Sequence, residues 1–279
     1  MLPVGRAVPT FKQGCPDRRR VAPAGGIGVQ YGAGMGVVAV QVSRPVALAL
    51  APVLVRQGRQ VRDRTPVLPE AAGDRSGVEA AIPAGPDAVA LNMVIVGEST
   101  AAGVGVADQR QGLAQQLAIE LARRRGLPVA WTVCARTGAT ASYTVRELIP
   151  AAPADQDLAV VVLGVNDTLR FRSRRAWRAR VVRVRDALGQ HLAPGGRIVL
   201  VGVPDLGSFP ALPQPLRAVL GWHARALDRE LRRLAAHHAE VLHVPGPQLS
   251  GEGLFASDAF HPSALTYARW AAHLADALA

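Results

Sequence analysis

The chain has 279 residues, of which 49% are hydrophobic, and its mean hydropathy is +0.16. This length and apolar content allow a large core with an appendage and exclude a wholly disordered protein. The net charge of +11 suggests nucleic acid or an anionic membrane as a partner, but Lys12 is the only lysine. Arginine in place of lysine, with abundant Ala, Gly, Pro and Val, is typical of GC-rich coding, so we expect no nucleic-acid binding.

Residues 1–90 lack the regular pattern of the rest of the chain. Residues 1–34 combine Pro, Gly and the basic cluster Arg18–Arg20 without periodicity, which predicts a disordered arm, and Met35 is an alternative start. Residues 35–56 form an apolar segment interrupted only by Arg44. Residues 57–90 are rich in Pro, Gly and charged residues, a composition typical of an extended linker.

The apolar segment 35–56 allows several interpretations. Its uninterrupted run, Val46–Val55, is shorter than the roughly 20 apolar residues that span a bilayer. It fits a membrane-surface helix or uncleaved anchor, a helix packed on the domain, or disorder. A cleaved signal peptide is disfavoured because Pro52 follows the best small-x-small site, Ala49-Leu50-Ala51. We expect a cytoplasmic or membrane-associated protein, with secretion left open.

Residues 91–279 alternate apolar strands with amphipathic helices. Met93–Val96 run into Gly97, which predicts a buried parallel strand that ends at the carboxyl edge of the sheet. The other predicted strands are Val129–Val133, Leu158–Leu163, Ile198–Val203 and Glu240–Val244. The predicted helices are one striped by Leu113, Leu117 and Leu121 that ends at Gly126, one containing Val145 and Leu148, Ser173–Leu192, Leu216–His237, and a terminal helix with Tyr267, Ala271, Leu274 and Leu278 on one face. Five strands separated by helices predict a parallel sheet covered on both faces, a three-layer α/β/α sandwich.

Polar residues that apolar packing does not require follow several of these strands. They are Gly97-Glu98-Ser99, Thr137-Gly138, Gly164-Val-Asn166-Asp167 and, in the long loop after the last strand, Asp258 to His261. All of them would meet at the carboxyl edge of the sheet, where ligands bind in open α/β folds. Serine, histidine and aspartate are the parts of an activated nucleophile, and glycine and asparagine are suited to an oxyanion hole. Taken alone, the Gly97–Ser99 segment favours a turn that caps the following helix over a nucleophile, so the combination of blocks carries the prediction.

These blocks, in this order and spacing, resemble the SGNH/GDSL hydrolase superfamily over residues 91–279. The family blocks stand here as GES at Gly97–Ser99, a lone Gly138, GVND at Gly164–Asp167 and DAFH at Asp258–His261. The resemblance implies a flavodoxin-like, five-stranded parallel sheet and a serine hydrolase that cleaves carboxylic esters, as a lipase, an esterase or a deacetylase. The alternatives are an inactive member that binds a ligand at the same edge, and a membrane-associated interaction protein.

The resemblance also implies a role for each site residue. Ser99 is the nucleophile, His261 the general base and Asp258 the residue that orients the imidazole ring, while Ser99, Gly138 and Asn166 form the oxyanion hole. The chain departs from the family at Glu98, where the family has Asp. We expect Glu98 to be structural and to form hydrogen bonds within its turn.

The predicted substrate is a small-molecule or lipid ester, and an apolar site or lid for it follows the third strongly apolar strand. The candidate pocket residues are Phe209, Leu212, Leu216 and Trp222, for each of which ordinary packing of a Pro-rich loop is at least as good an explanation. We expect no metal, because the histidines and the distant Cys15 and Cys134 have no ligand spacing. We expect no dinucleotide cofactor, since the Gly103-Val-Gly105 stretch lacks the third glycine.

Overall fold

The computed structural model describes residues 45–81, 89–247, 249 and 251–278. The predicted arm over residues 1–34, and residues 35–44 of the apolar segment, lie outside the described residues. Within the described part of the chain, no helix is both long and apolar enough to cross a membrane.

A six-stranded sheet forms the centre of the fold, with the strand order β1-β3-β2-β4-β5-β6. Strands β2 to β6 are parallel, as the sequence predicts, and β1 pairs antiparallel with β3 at the edge. The strands are β1 Ser76–Glu79, β2 Leu91–Gly97, β3 Val129–Ala135, β4 Gln156–Val162, β5 Leu192–Val201 and β6 Val241–Val244. The expectation of five parallel strands is thus correct, and a sixth, antiparallel strand is added to it.

Helices cover both faces of the sheet and produce the predicted three-layer α/β/α sandwich. The helices are α1 Ala51–Arg64, α2 Leu113–Arg125, α3 Arg174–Gly189, α4 Leu216–Ala236 and α5 Ala264–Leu278. One apolar core lies between the sheet and helices α3 and α4 and contains the fully buried Trp177. The other lies under α2 and α5 and contains Tyr267. The predicted helix around Val145 and Leu148 is a helical turn, Ala141–Tyr143, followed by a wider π-helical turn, Thr144–Leu148.

Residues 57–90 do not form the plain extended linker that their composition predicts. Most of α1 and all of β1 lie in this stretch. In β1, the side chain of Glu79 accepts hydrogen bonds from Nε1 of Trp131 and Nε2 of Gln115, at 3.2 and 2.8 Å. A strand of four residues at a sheet edge has no apolar pattern of its own, and contacts such as these leave no local signal in the sequence.

The sheet positions the site through the end of β2, where a glycine is required. Gly97 pairs with Val162 of β4. A Cβ atom on Gly97 would lie 2.2 Å from the carbonyl oxygen of Val162 and 2.9 Å from Cβ of Ala101. Because only glycine allows this close approach, the chain can turn sharply at the sheet edge and present the residues that follow.

Candidate active site

Three side chains from distant parts of the sequence form a hydrogen-bonded chain at the carboxyl edge of the sheet. Nε2 of His261 lies 3.0 Å from Oγ of Ser99, and Nδ1 of His261 lies 2.5 Å from Oδ2 of Asp258. Ser99 is in the turn after β2, whereas His261 and Asp258 are in the loop before α5. The structure therefore brings together the three side chains that the sequence analysis groups as nucleophile, base and orienting carboxylate.

The carboxylate of Asp258 is buried and held on both oxygens. Oδ1 accepts hydrogen bonds from the backbone N–H groups of Phe260 and His261, each at 2.9 Å. Burial acts to raise the pKa of Asp258, but the hydrogen bonds from His261 and from these backbone donors bring that pKa below its ordinary value. An ionised carboxylate in this position fixes the orientation of the imidazole ring.

The loop that follows Ser99 is tied down by a buried tyrosine of α5. The hydroxyl of Tyr267 lies 2.7 Å from the carbonyl oxygen of Val104 and 3.2 Å from that of Thr100. Burial is the main reason that the pKa of Tyr267 is raised, so the hydroxyl keeps its proton and donates. The helical apolar pattern places Tyr267 in the core, but the partner of its hydroxyl has no signal in the sequence.

Glu98 bridges two strand ends instead of bonding within its own turn, which corrects the expectation from the sequence. Oε1 accepts a hydrogen bond from the backbone N–H of Val165 at 2.8 Å. Oε2 accepts one from the backbone N–H of Asn166 at 2.9 Å and another from the side-chain Nδ2 of Asn166 at 2.6 Å. Burial raises the pKa of Glu98 to about 7, against the opposing effect of these donors. Glu98 thus fixes the position of the Asn166 side chain.

Gly138 lies in an exposed loop after β3, with a φ of +79° that favours glycine. A hydrogen bond connects the segment after this loop to the GVND block, Gly164–Asp167. Oδ2 of Asp167 accepts it from the backbone N–H of Ala141 at 2.9 Å. Among the hydrogen bonds between described residues, neither the backbone N–H of Ser99 nor that of Gly138 has a protein acceptor. Both groups are therefore available to a bound molecule.

A shallow apolar cleft, which encloses about 20 Å³, opens beside Ser99 and His261. Its apolar lining includes Val165, Pro204, Phe209, Pro247, Leu249 and Phe260. Of the four pocket candidates from the sequence, Phe209 lines the cleft, whereas Leu212 and Leu216, the first residue of α4, are buried in the apolar core. Trp222 lies on α4 and is not among the described residues that line the cleft.

The aromatic ring of Phe260, which sequence analysis did not single out, forms part of the same wall. It lies edge-on to the rings of Phe209 and His261, with centroids 5.1 and 5.3 Å apart. Phe260 stands between Asp258 and His261 in the chain, so its place next to His261 could have been predicted from the DAFH block.

The family model for GDSL-like lipases and acylhydrolases matches residues 95–269. The chain belongs to the GDSL-like lipase/acylhydrolase family. The resemblance drawn from the sequence blocks is thereby confirmed.

Among curated proteins, this family member is similar to the GDSL-like esterase Rv1075c of Mycobacterium tuberculosis (strain ATCC 25618 / H37Rv). The two are 30% identical over 188 residues, which is 64% of this chain and 58% of the relative. The chain thus spans less than two thirds of the length of the curated relative that it matches.

Solved structures show the same fold at low sequence identity. The structure of TesA matches with a TM-score of 0.51 and 21% identity, over 67% of this chain and 97% of TesA. The lipase Lip_vut3 from a goat rumen metagenome also has a TM-score of 0.51, with 14% identity over 67% of this chain and 97% of its own. At these identities the likeness establishes the three-layer fold.

Proposed function

We propose that the protein is a serine hydrolase that cleaves carboxylic esters with Ser99, His261 and Asp258. The observation that carries this proposal is the continuous chain of hydrogen bonds from Oγ of Ser99 through His261 to the buried Asp258. Membership of the lipase/acylhydrolase family supports the same chemistry and gives no support to an inactive, ligand-binding alternative.

The proposed reaction begins with transfer of the Ser99 hydroxyl proton to Nε2 of His261 as Oγ attacks the ester carbonyl carbon. His261 then gives this proton to the leaving alcohol, and the acyl group stays on Oγ. A water molecule, deprotonated by the same nitrogen, attacks the acyl-enzyme. His261 returns this proton to Oγ as the bond between Oγ and the acyl carbon breaks, which releases the carboxylic acid and the free serine. Asp258 stabilises the positively charged imidazole in both halves of the reaction.

The negative charge that forms on the carbonyl oxygen requires donors that are already in place. We assign this role to the backbone N–H groups of Ser99 and Gly138 and to Nδ2 of Asn166. Nδ2 of Asn166 has two N–H bonds, and Glu98 uses one of them. The other is left for the substrate oxygen.

The apolar cleft between Phe209 and Phe260 supports a substrate with an apolar acyl or alcohol group, such as a small-molecule or lipid ester. The cleft encloses only about 20 Å³, against about 300–1,000 Å³ for a small-molecule pocket, so the substrate would lie largely at its open mouth. We propose that the substrate enters this cleft with its carbonyl carbon next to Ser99, and that no cofactor takes part.

The test is hydrolysis of p-nitrophenyl acetate and butyrate by the full chain, combined with labelling by a fluorophosphonate. We expect turnover, loss of turnover after labelling, and a single phosphonyl adduct on the peptide that contains Ser99. Ser208, which lies in another loop and donates to the carbonyl oxygen of Asp205, is the internal control and should stay unlabelled. Turnover that survives complete labelling of Ser99 would contradict the proposal.

We also propose that the helix α1 region associates with an anionic membrane surface. Leu48, Val53 and Val55 are 79%, 45% and 52% exposed. Val55 and the exposed Arg62 are seven residues apart on α1 and so share one side of it, and Leu48 lies in the helical residues 45–49 just before α1. Exposed aliphatic side chains followed by arginine fit a lipid surface that carries negative charge.

Flotation with vesicles of phosphatidylglycerol and phosphatidylcholine tests this association. We expect the full chain to float with anionic vesicles, and the double variant Leu48→Ser, Val55→Ser to float less. Ile119→Ser, which removes an aliphatic side chain that is 39% exposed on α2, is the matched control and should float like the wild type. Equal flotation of all three proteins would exclude α1 as the docking element.

A further inference from the structure

The loop that carries Gly138 is held by two residues that precede the family-matched part of the chain. Oε1 of Glu70 accepts a hydrogen bond from the backbone N–H of Thr137 at 2.6 Å. Nη1 of Arg75 donates to the carbonyl oxygen of Ala135 at 2.8 Å. The two side chains also form an ion pair with each other through Oε2 of Glu70 and Nη2 of Arg75.

These contacts fix the peptide groups on which the orientation of Gly138 depends. Ala135 is the last residue of β3, and Thr137 directly precedes Gly138. Within the loop, the described backbone hydrogen bonds are those from Arg136 to Gly97 at 3.2 Å and from Ala139 to Arg136 at 3.1 Å. The short bond to Glu70 is therefore a main restraint on the peptide next to Gly138.

The backbone directly after Glu70 is fixed on the other loop of the site, the one that follows Ser99. The backbone N–H of Ala71 donates to the carbonyl oxygen of Ala102 at 3.2 Å, and that of Ala72 donates to Ala107 at 3.0 Å. The buried Gln109 donates from Nε2 to the carbonyl oxygens of both Ala71 and Ala102, at 3.3 and 3.2 Å. Glu70 thus connects the loop after the nucleophile to the loop that carries Gly138.

We propose that Glu70 is a positioning residue that holds the N–H group of Gly138 in place for the oxyanion, with Arg75 orienting its carboxylate. The proposal rests on the function proposed above, because it assumes that Gly138 is an oxyanion donor. Glu70 and Arg75 lie before residues 95–269, the part that the family model matches. The catalytic unit of this chain therefore begins earlier than the family blocks indicate.

The test compares Glu70→Ala and Glu70→Gln in the full chain with p-nitrophenyl butyrate. Loss of a whole oxyanion donor lowers kcat by about 10²- to 10³-fold. A donor that is present but poorly held should cost less, so we expect Glu70→Ala to lower kcat by about tenfold to a hundredfold, with little change in KM. Glu70→Gln keeps an oxygen that can accept from Thr137 and should recover part of the loss.

Glu79→Ala is the matched control, since Glu79 stabilises the same N-terminal stretch through Trp131 and Gln115. It should lower the unfolding midpoint without lowering kcat. Equal losses of kcat in Glu70→Ala and Glu79→Ala, or no loss in Glu70→Ala, would overturn the positioning role. If the wild type itself lacks esterase activity and Ser99 stays unlabelled by the fluorophosphonate, the proposed function has failed instead.

Discussion

Replacing Ser99 by alanine is expected to lower kcat for p-nitrophenyl butyrate by about 10⁶-fold, close to the loss seen when a serine nucleophile is removed from a comparable triad. The alanine variant has no Oγ to attack the carbonyl carbon. Nε2 of His261 lies 3.0 Å from this oxygen and would accept its proton. His261→Ala should therefore lower kcat by about the same factor. The measured quantity is the initial rate above the buffer background, at a substrate concentration well above KM.

The double variant Ser99→Ala, His261→Ala should be no slower than either single variant. The effects of residues that act as one unit are not additive, because once the first is removed the second no longer contributes to catalysis. Asp258→Asn is expected to cost about 10⁴-fold, since an amide does not hold the imidazole in the required tautomer.

His273 provides the control for these substitutions, because it is exposed on α5. His273→Ala should keep the wild-type rate. Losses that multiply in the double variant, or a Ser99→Ala protein with more than a few per cent of wild-type activity, would show that the triad assignment is wrong. Circular dichroism of each variant checks that the fold is retained.

The strands and the site blocks were predictable because their signals are local and strong. The run Met93–Val96 is buried on both faces of the sheet, and a continuous apolar run of this kind predicts a buried parallel strand. Ser99, Gly138 and His261 each stand in a turn or loop, and Asn166 lies in the short helix Val165–Leu169 that follows β4. Since parallel strands place their carboxyl ends at one edge, their convergence follows from the topology.

The supporting residues were not predictable, because each acts across a long stretch of sequence on a backbone group. Glu70 bonds to the backbone of Thr137, and Glu98 bonds to the backbone of Val165. A backbone N–H is the same whatever the side chain, so neither pair has a pattern to detect. The sequence also did not separate pocket residues from core residues. Phe209 lines the cleft and Leu212 does not, yet both are apolar and almost fully buried.

The exchange Glu98→Gln is expected to lower kcat by about 10²-fold, which approaches the loss of a complete oxyanion donor. Glutamine offers one acceptor oxygen and one NH₂ group to a site that contains three N–H donors. The NH₂ group has no acceptor there, so Asn166 loses the partner that positions its Nδ2. Steady-state kinetics should place the loss in kcat rather than in KM.

Asn166→Ala provides the reference for this effect, with an expected loss of about 10²- to 10³-fold. If Glu98 acts through Asn166, adding Glu98→Gln to Asn166→Ala should lower kcat little further. Glu98→Asp restores the family residue and keeps the charge, and it should retain more activity than Glu98→Gln. Fully multiplicative losses in the double variant would contradict a role through Asn166.

The raised pKa of Glu98 also predicts that the free energy of unfolding of the wild type, relative to Glu98→Gln, depends on pH. Its folded-state pKa is about 7 against an ordinary value of 4.5, so the folded state binds this proton more tightly than the unfolded state does. The resulting contribution to the free energy of unfolding is fully present below pH 4.5 and is lost as the pH rises through about 7. At 1.36 kcal/mol per pKa unit, this amounts to about 3 kcal/mol.

Glutamine does not titrate, so the stability of wild type relative to Glu98→Gln should fall as the pH rises from about 4.5 to 7 and then stay constant. Urea unfolding of both proteins at several pH values measures this difference, in which other titrating groups cancel. A difference that is independent of pH would mean that Glu98 is ionised throughout, and that its three N–H donors outweigh the cost of burying its charge.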